Sequence, residues 1–218
     1  MTLTRADLES SRLQKLIQQA GLGLQLLSEA ELQASLRQTL QQRPHAEVWL
    51  FAYGSLIWNP TFHSIGRTVG TIYGLHRQFC LWTPLGRGTP DNPGLVLALD
   101  RGGSCRGVAY RIAEHEAFAE LLLVWRREMV VNSYVPRWVR VFTGDRTLEA
   151  ITFVINRQHD CYSGELSLDT VVNSIATACG ELGSCKNYLL QTVESLLQAG
   201  IQDKYLLSLR DRVLAKQG

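Results

Sequence analysis

Two places in the chain bring together residue types able to do chemistry. The first is Tyr53-Gly54-Ser55, where the apolar run Val48-Trp49-Leu50-Phe51-Ala52 gives way to small residues. Successive amide N–H groups at such a turn form a concave anion site or grip a carbonyl oxygen. Gly54 adds backbone freedom at unusual φ values and no Cβ to block a ligand, and Ser55 adds a hydroxyl. Taken alone, Tyr53-Gly54-Ser55-Leu56 fits a plain strand end equally well. The second place is Glu128. Phe118, Leu121, Leu122, Trp125 and Met129 recur at helical spacing and share a face. Glu128, three residues after Trp125, falls in that apolar sector, whereas Arg126 and Arg127 read as solvent-facing. A carboxylate in apolar surroundings is costly unless it is paired or its pKa rises, and such a group suits general acid/base work. The same spacing also fits a glutamate at the stripe's edge, reaching water or an arginine. Glu114, Glu116 and Glu120 read as the capping turn and wet side of this helix.

Other chemistries fit poorly. Ser55 lacks a G-x-S-x-G elbow and a nearby histidine, which argues against a nucleophilic serine. The five histidines (His45, His63, His76, His115, His159) show no ligand spacing, so no metal site is expected. Five cysteines (Cys80, Cys105, Cys161, Cys179, Cys185) form an odd set without CxxC spacing, which reads as reduced thiols in the cytoplasm. A formal charge of +2 is too small for a nucleic-acid footprint. No apolar run reaches membrane-spanning length, and Met1-Thr2-Leu3-Thr4-Arg5-Ala6-Asp7 lacks the form of a secretory signal. With 45% hydrophobic and 19% charged residues the chain reads as an ordinary globular protein, neither nucleic-acid-binding nor membrane-bound.

The elements that position these residues follow from patterning. Val48 to about Ala52 reads as a buried strand. Two further strands are expected at 66–74 and 75–82, then a long Gly/Pro loop from Thr83 to Gly94 of a length often tied to function. The next strand is 95–99, with Asp100-Arg101-Gly102-Gly103 as a hairpin turn and 106–112 as its partner. A helix follows from Glu114 to about Val130, then strands at 138–142 and 149–155. Three helices near 168–179, 186–199 and 203–216 close the chain. In Arg77 an ion pair is the natural expectation. Short strands joined by tight turns, with one helix interposed, favour a closed or nearly closed antiparallel sheet. Residues 1–46 differ: Leu8, Leu13, Leu16 and Ile17 carry helical spacing. Ser28-Glu29-Ala30-Glu31 then opens a second helix that Arg43-Pro44 stops. The domain reading is a helical extension over 1–46 and a main domain over 47–218.

Several separated segments, in order, resemble the ChaC family of glutathione-specific γ-glutamylcyclotransferases. They are Phe51-Ala52-Tyr53-Gly54-Ser55-Leu56-Ile57-Trp58-Asn59-Pro60, Gly86-Arg87-Gly88-Thr89 with Pro93-Gly94, Gly107-Val108-Ala109-Tyr110-Arg111, Trp125-Arg126-Arg127-Glu128-Met129, Asp160-Cys161-Tyr162 and Asn187-Tyr188-Leu189-Leu190. The resemblance implies an α+β, γ-glutamylcyclotransferase-like fold: a small mixed β-barrel flanked by helices, with an N-terminal helical extension. It implies conversion of glutathione to 5-oxoproline and cysteinylglycine without metal or cofactor. It places Glu128 as catalytic acid/base and Leu50, Phe51, Ala52, Tyr53, Gly54 and Ser55 as the substrate-binding loop. Arg87 suits either a pairing with the glycyl carboxylate or a solvated loop position, and Tyr162 either a hydrogen bond into the site or plain packing. Ala52 stands where many relatives carry glycine, so its methyl is expected to narrow the pocket. Two rivals remain: a cyclotransferase for other γ-glutamyl amines or peptides, and a non-catalytic ligand-binding regulator of a transporter.

Overall fold

The long ribbon of β2 (Gly66–Thr83) and β3 (Gly94–Ile112) sets the architecture. In this computed structural model, which describes residues 3–216, the two strands pair antiparallel from Gly66↔Arg111 to Thr83↔Gly94. The expected strands 66–74 and 75–82 are one strand, and Asp100–Gly103 is not a hairpin turn. Instead the register slips between Tyr73 and Leu75, where Gly74, Gly102 and Gly103 all take positive φ and bend the paired strands together. The same left-handed freedom serves a turn or a bulge. The hairpin lies at the Gly/Pro loop.

This bend lets five strands close on themselves. β1 (Val48–Ala52), β3, β2, β4 (Tyr134–Phe142) and β5 (Thr147–Ile155) form a closed barrel in that order, sealed by parallel contacts of β5 with β1 and β3. All five β1 residues are buried, as their unbroken apolar run requires. The helix α4 (Ala117–Glu128) lays its apolar stripe on the barrel, with Trp125 fully buried edge-on to Phe153. Arg77 does find an ion-pair partner, Asp203, at 3.4 Å. The last helices, α5 (Leu168–Thr177), α6 (Cys185–Gln198) and α7 (Lys204–Ala215), lie within a residue or two of expectation. Short β6 (Cys179–Gly180) and β7 (Gly183–Ser184) separate α5 from α6.

The N-terminal segment divides into α1 (Arg5–Glu9), α2 (Arg12–Gln19) and α3 (Glu29–Gln41). The first two are separate because Ser11 adopts φ 55°, while Thr4 and Asp7 form a capping box that fixes the start of α1. A second box, Ser28 with Glu31, opens α3 where the sequence placed it. Met1 and Thr2, in the segment read for a signal, and residues 217–218 lie outside the described residues.

Glu120 is not on a wet face: it is 4% exposed and receives both Arg5 terminal nitrogens, at 2.7 and 2.9 Å, and the His63 amide at 2.7 Å. Burial works against ionisation here, but these donors outweigh it and hold the carboxyl below its ordinary range. Arg5→Ala leaves that carboxylate buried without its main partner. It is expected to lower stability by about 1–3 kcal/mol in urea unfolding, and no change in the midpoint would contradict the pairing.

Candidate active site

The site is built where β1 ends against the end of α4. After Ala52 the chain turns at once, with the Ile57 amide donating to the Gly54 carbonyl at 3.0 Å and the Asn59 amide to the Ser55 carbonyl at 2.9 Å. These bonds leave the amides of Gly54, Ser55 and Leu56 outside the turn's own hydrogen bonding. Gly54 does not adopt positive φ; its reason for being glycine is space. A Cβ there would stand 3.2 Å from the Tyr188 hydroxyl and 3.7 Å from Leu97.

Glu128, the last residue of α4, faces this turn, its side chain 14% exposed. It lines a small pocket with Tyr53, Gly54, Ser55, Tyr134 and Tyr188. That pocket shares Ser55, Glu128, Tyr134 and Tyr188 with a larger cavity of about 220 Å³. Burial pushes the Glu128 carboxyl above its ordinary pKa, and the Arg127 guanidinium pulls it part of the way back. Arg127 does not point to solvent. It sits 3.1 Å from Glu128 Oε1 and donates to the Asn59 carbonyl at 2.6 Å and to Ser55 Oγ at 2.8 Å. One guanidinium thus ties the acid to the turn. Arg126 pairs with Glu29 of α3 at 2.8 Å.

A raised carboxyl pKa has a thermodynamic sign. The folded chain holds this proton more tightly than the unfolded one, so the contribution to stability is full below the unfolded pKa and lost as pH rises through the folded one. Glu128→Gln removes that dependence. The difference in melting temperature, variant minus parent, is therefore expected to be more positive at pH 8 than at pH 4.5, by calorimetry. A pH-independent difference would contradict a buried, reluctantly ionised acid.

Three tyrosines surround the acid. Tyr53 donates to the Phe153 carbonyl at 2.9 Å and Tyr134 to the Leu97 carbonyl at 2.9 Å; Tyr188 accepts the Leu97 amide at 3.3 Å. Burial raises all three hydroxyl pKa values, Tyr188 to about 12, with the Glu128 charge contributing further. They remain neutral near pH 7. Arg87 lies on the Gly/Pro loop, which the turn between β6 and β7 grips through bonds from Glu181 and Leu182 to the Leu85 and Gly86 carbonyls. It is 9% exposed and packs over the rings of Tyr188 and Trp58 at 5.6 and 5.8 Å. Among the described residues no carboxylate pairs with it within 4.0 Å, and its recorded hydrogen bond is a long 3.5 Å contact to the Ser184 carbonyl.

Of the expected site residues, Glu128, Tyr53, Gly54, Ser55 and Arg87 line these joined cavities. Leu50, Phe51 and Ala52 do not: they are fully buried in β1, where barrel pairing takes their backbone. The Ala52 methyl therefore does not narrow the pocket. Tyr162 is also outside the lining, because its hydroxyl donates to Asp100 Oδ2 at 2.8 Å. The sequence reading missed Arg127, Tyr134 and the apolar residues of α2. Tyr188 carried a signal, since it stands in one of the segments that carried the resemblance. Among the described residues no His, Cys, Asp and Glu cluster is arranged to hold a metal, and no helix is long and apolar enough to cross a membrane.

A small closed barrel with a carboxyl of raised pKa beside the turn that ends β1 frames the site, and the comparisons name its family. A ChaC-like protein family model matches residues 48–216, and the chain belongs to the ChaC-like family. It is similar to the glutathione-specific γ-glutamylcyclotransferase of Escherichia coli (strain K12), 41% identical over 180 residues covering 82% of this chain and 78% of that protein. It is 31% identical to glutathione-specific γ-glutamylcyclotransferase 1 of Mus musculus, covering 76% and 78%. In fold it is similar to a crystal structure of the yeast γ-glutamyl cyclotransferase specific to glutathione, with TM-score 0.71 and 24% identity over 78% of this chain and 97% of that one. The expected α+β barrel is the fold observed.

Proposed function

We propose that the chain degrades glutathione, closing its γ-glutamyl end into 5-oxoproline and releasing cysteinylglycine, with Glu128 as the single acid/base. The observation that carries this reading is the largely buried Glu128 carboxyl, of raised pKa, sharing a pocket with Gly54, Ser55 and Leu56 in a chain 41% identical to an enzyme named for that reaction. The substrate's α-amine arrives protonated. Glu128 takes that proton, and the freed amine attacks its own γ-carbonyl carbon. Because nucleophile and electrophile belong to one molecule, the site need only fold the glutamyl end into a ring-closing conformation. Negative charge then develops on the carbonyl oxygen, and the turn's amides donate to it. Glu128 hands that proton to the cysteinyl nitrogen as the carbon–nitrogen bond breaks. It also takes the second proton that the ring nitrogen sheds, which ends on the departing amine as its ammonium, so one carboxyl serves both steps. Arg127 orients that carboxyl, and Arg87 pairs with the glycyl carboxylate.

A carboxylate in the pocket disfavours the reading as a mere anion-binding regulator, since it repels the ligand such a module would hold. The five cysteines, none bonded to another, fit a reducing cytoplasm, where glutathione is a thiol. The test is release of 5-oxoproline from glutathione and from γ-glutamyl-alanine, side by side and with chelator present. Turnover of glutathione alone, unaffected by chelator, is expected. Preference for γ-glutamyl-alanine, or activity lost to chelator and restored by metal, would contradict the proposal.

A further inference from the structure

The large cavity has one wall that the reaction does not explain. Leu13, Leu16 and Ile17 of α2, with Leu24 beyond it, line the same space as Glu128 and Arg87. The helix is amphipathic: Lys15, Gln18 and Gln19 are exposed while Ile17 is buried. The wall is pinned at both ends. The Asn59 side chain donates to the Leu3 carbonyl at 2.8 Å, and the Leu27 amide to the Val130 carbonyl at 3.0 Å. Val130 stands two residues after Glu128, so the extension is anchored on the segment that carries the acid.

Glutathione offers such a wall little. Its two carboxylates and its ammonium suit Arg87, the turn amides and Glu128; the glutamyl methylenes fold into the closing ring, which leaves the cysteinyl CH2–SH as its side chain of apolar character. An aliphatic surface from the extension matches a larger apolar group attached at that sulfur. Resting on the cyclotransferase reading, we propose a further activity: cleavage of glutathione thioethers, with the α2 wall as the subsite for the S-substituent. The chemistry balances as before. The α-amine nitrogen bonds to the γ-carbonyl carbon, the bond from that carbon to the cysteinyl nitrogen breaks, and two of the ammonium's protons end on the departing nitrogen, which leaves as an ammonium. The sulfur–carbon bond is untouched, and the products are 5-oxoproline and S-substituted cysteinylglycine.

The probe is S-hexylglutathione, measured against reduced glutathione by 5-oxoproline release with the full chain. The expected result is a kcat/KM for the thioether at least equal to that for the thiol, carried by a lower KM. Leu16→Asp and Leu24→Asp, made singly, place a charge on the wall. Each is expected to lower the thioether-to-thiol ratio of kcat/KM by roughly tenfold or more, the scale on which apolar pockets discriminate. The ratio cancels a general loss of folded protein. Turnover of glutathione with no 5-oxoproline from S-hexylglutathione would overturn this inference alone, as would a ratio unmoved in both variants. Turnover of neither substrate would overturn the cyclotransferase reading with it.

Discussion

Glu128→Gln is expected to cut kcat by about 10²–10⁴-fold, the contribution of a positioned general acid/base, while the protein stays folded. The amide keeps the shape of the side chain and an oxygen for the Arg127 Nε–H, which lies 3.1 Å from Oε1. What it loses is the ability to take a proton from the α-amine and return it to the cysteinyl nitrogen. The variant should still bind glutathione, because Arg87, Arg127 and the Gly54–Leu56 amides are intact. Steady-state 5-oxoproline release beside isothermal titration with glutathione separates the two effects. A variant that binds and turns over at the parent rate removes the acid/base assignment. One that no longer binds shows that the carboxylate serves affinity instead.

Arg87→Met is the second large effect. Methionine retains apolar bulk between Trp58 and Tyr188 while removing a cation 9% exposed that, among the described residues, has no carboxylate within 4.0 Å. A hydrogen bond to a charged group contributes about 1.5–3 kcal/mol, so kcat/KM for glutathione should fall roughly 10–100-fold. The diagnostic comparison is glutathione whose glycyl carboxylate is capped as the amide. The parent enzyme is expected to prefer glutathione by that same factor, and the variant to treat both alike. If the variant loses equal activity on both, Arg87 supports the loop rather than pairing with the glycyl end.

What the sequence made legible was local. The β1 run, the small residues that end it, the box at Ser28 and the apolar stripe holding Glu128 are each set by neighbours within a few positions. The sequence fell short where a residue's role depends on distant partners. Helical spacing put Arg127 and Glu120 outside the buried stripe but said nothing of Ser55 and Asn59, or of Arg5 and His63, which meet them from other segments. Gly102-Gly103 has turn composition, yet a bulge needs the same positive φ, and only the pairing of β2 along the whole of β3 separates the two. Tyr162 sits beside expected site segments, and its direction is decided by Asp100, 62 positions earlier. The extension's role in lining the cavity was hidden for the same reason, since amphipathic spacing shows an apolar face without showing what it covers.

The central claim, that one buried carboxyl of raised pKa moves the proton in ring closure, is tested most directly by titrating that carboxyl. Carbon-13 NMR of the side-chain carboxyls, with Glu128→Gln identifying the resonance, gives its pKa in the free enzyme, and the rising acidic limb of kcat/KM gives the pKa that governs turnover. The two are expected to coincide, above the range of an exposed glutamate. A Glu128 carboxyl that titrates like an exposed one, or a limb that does not follow it, would contradict the account.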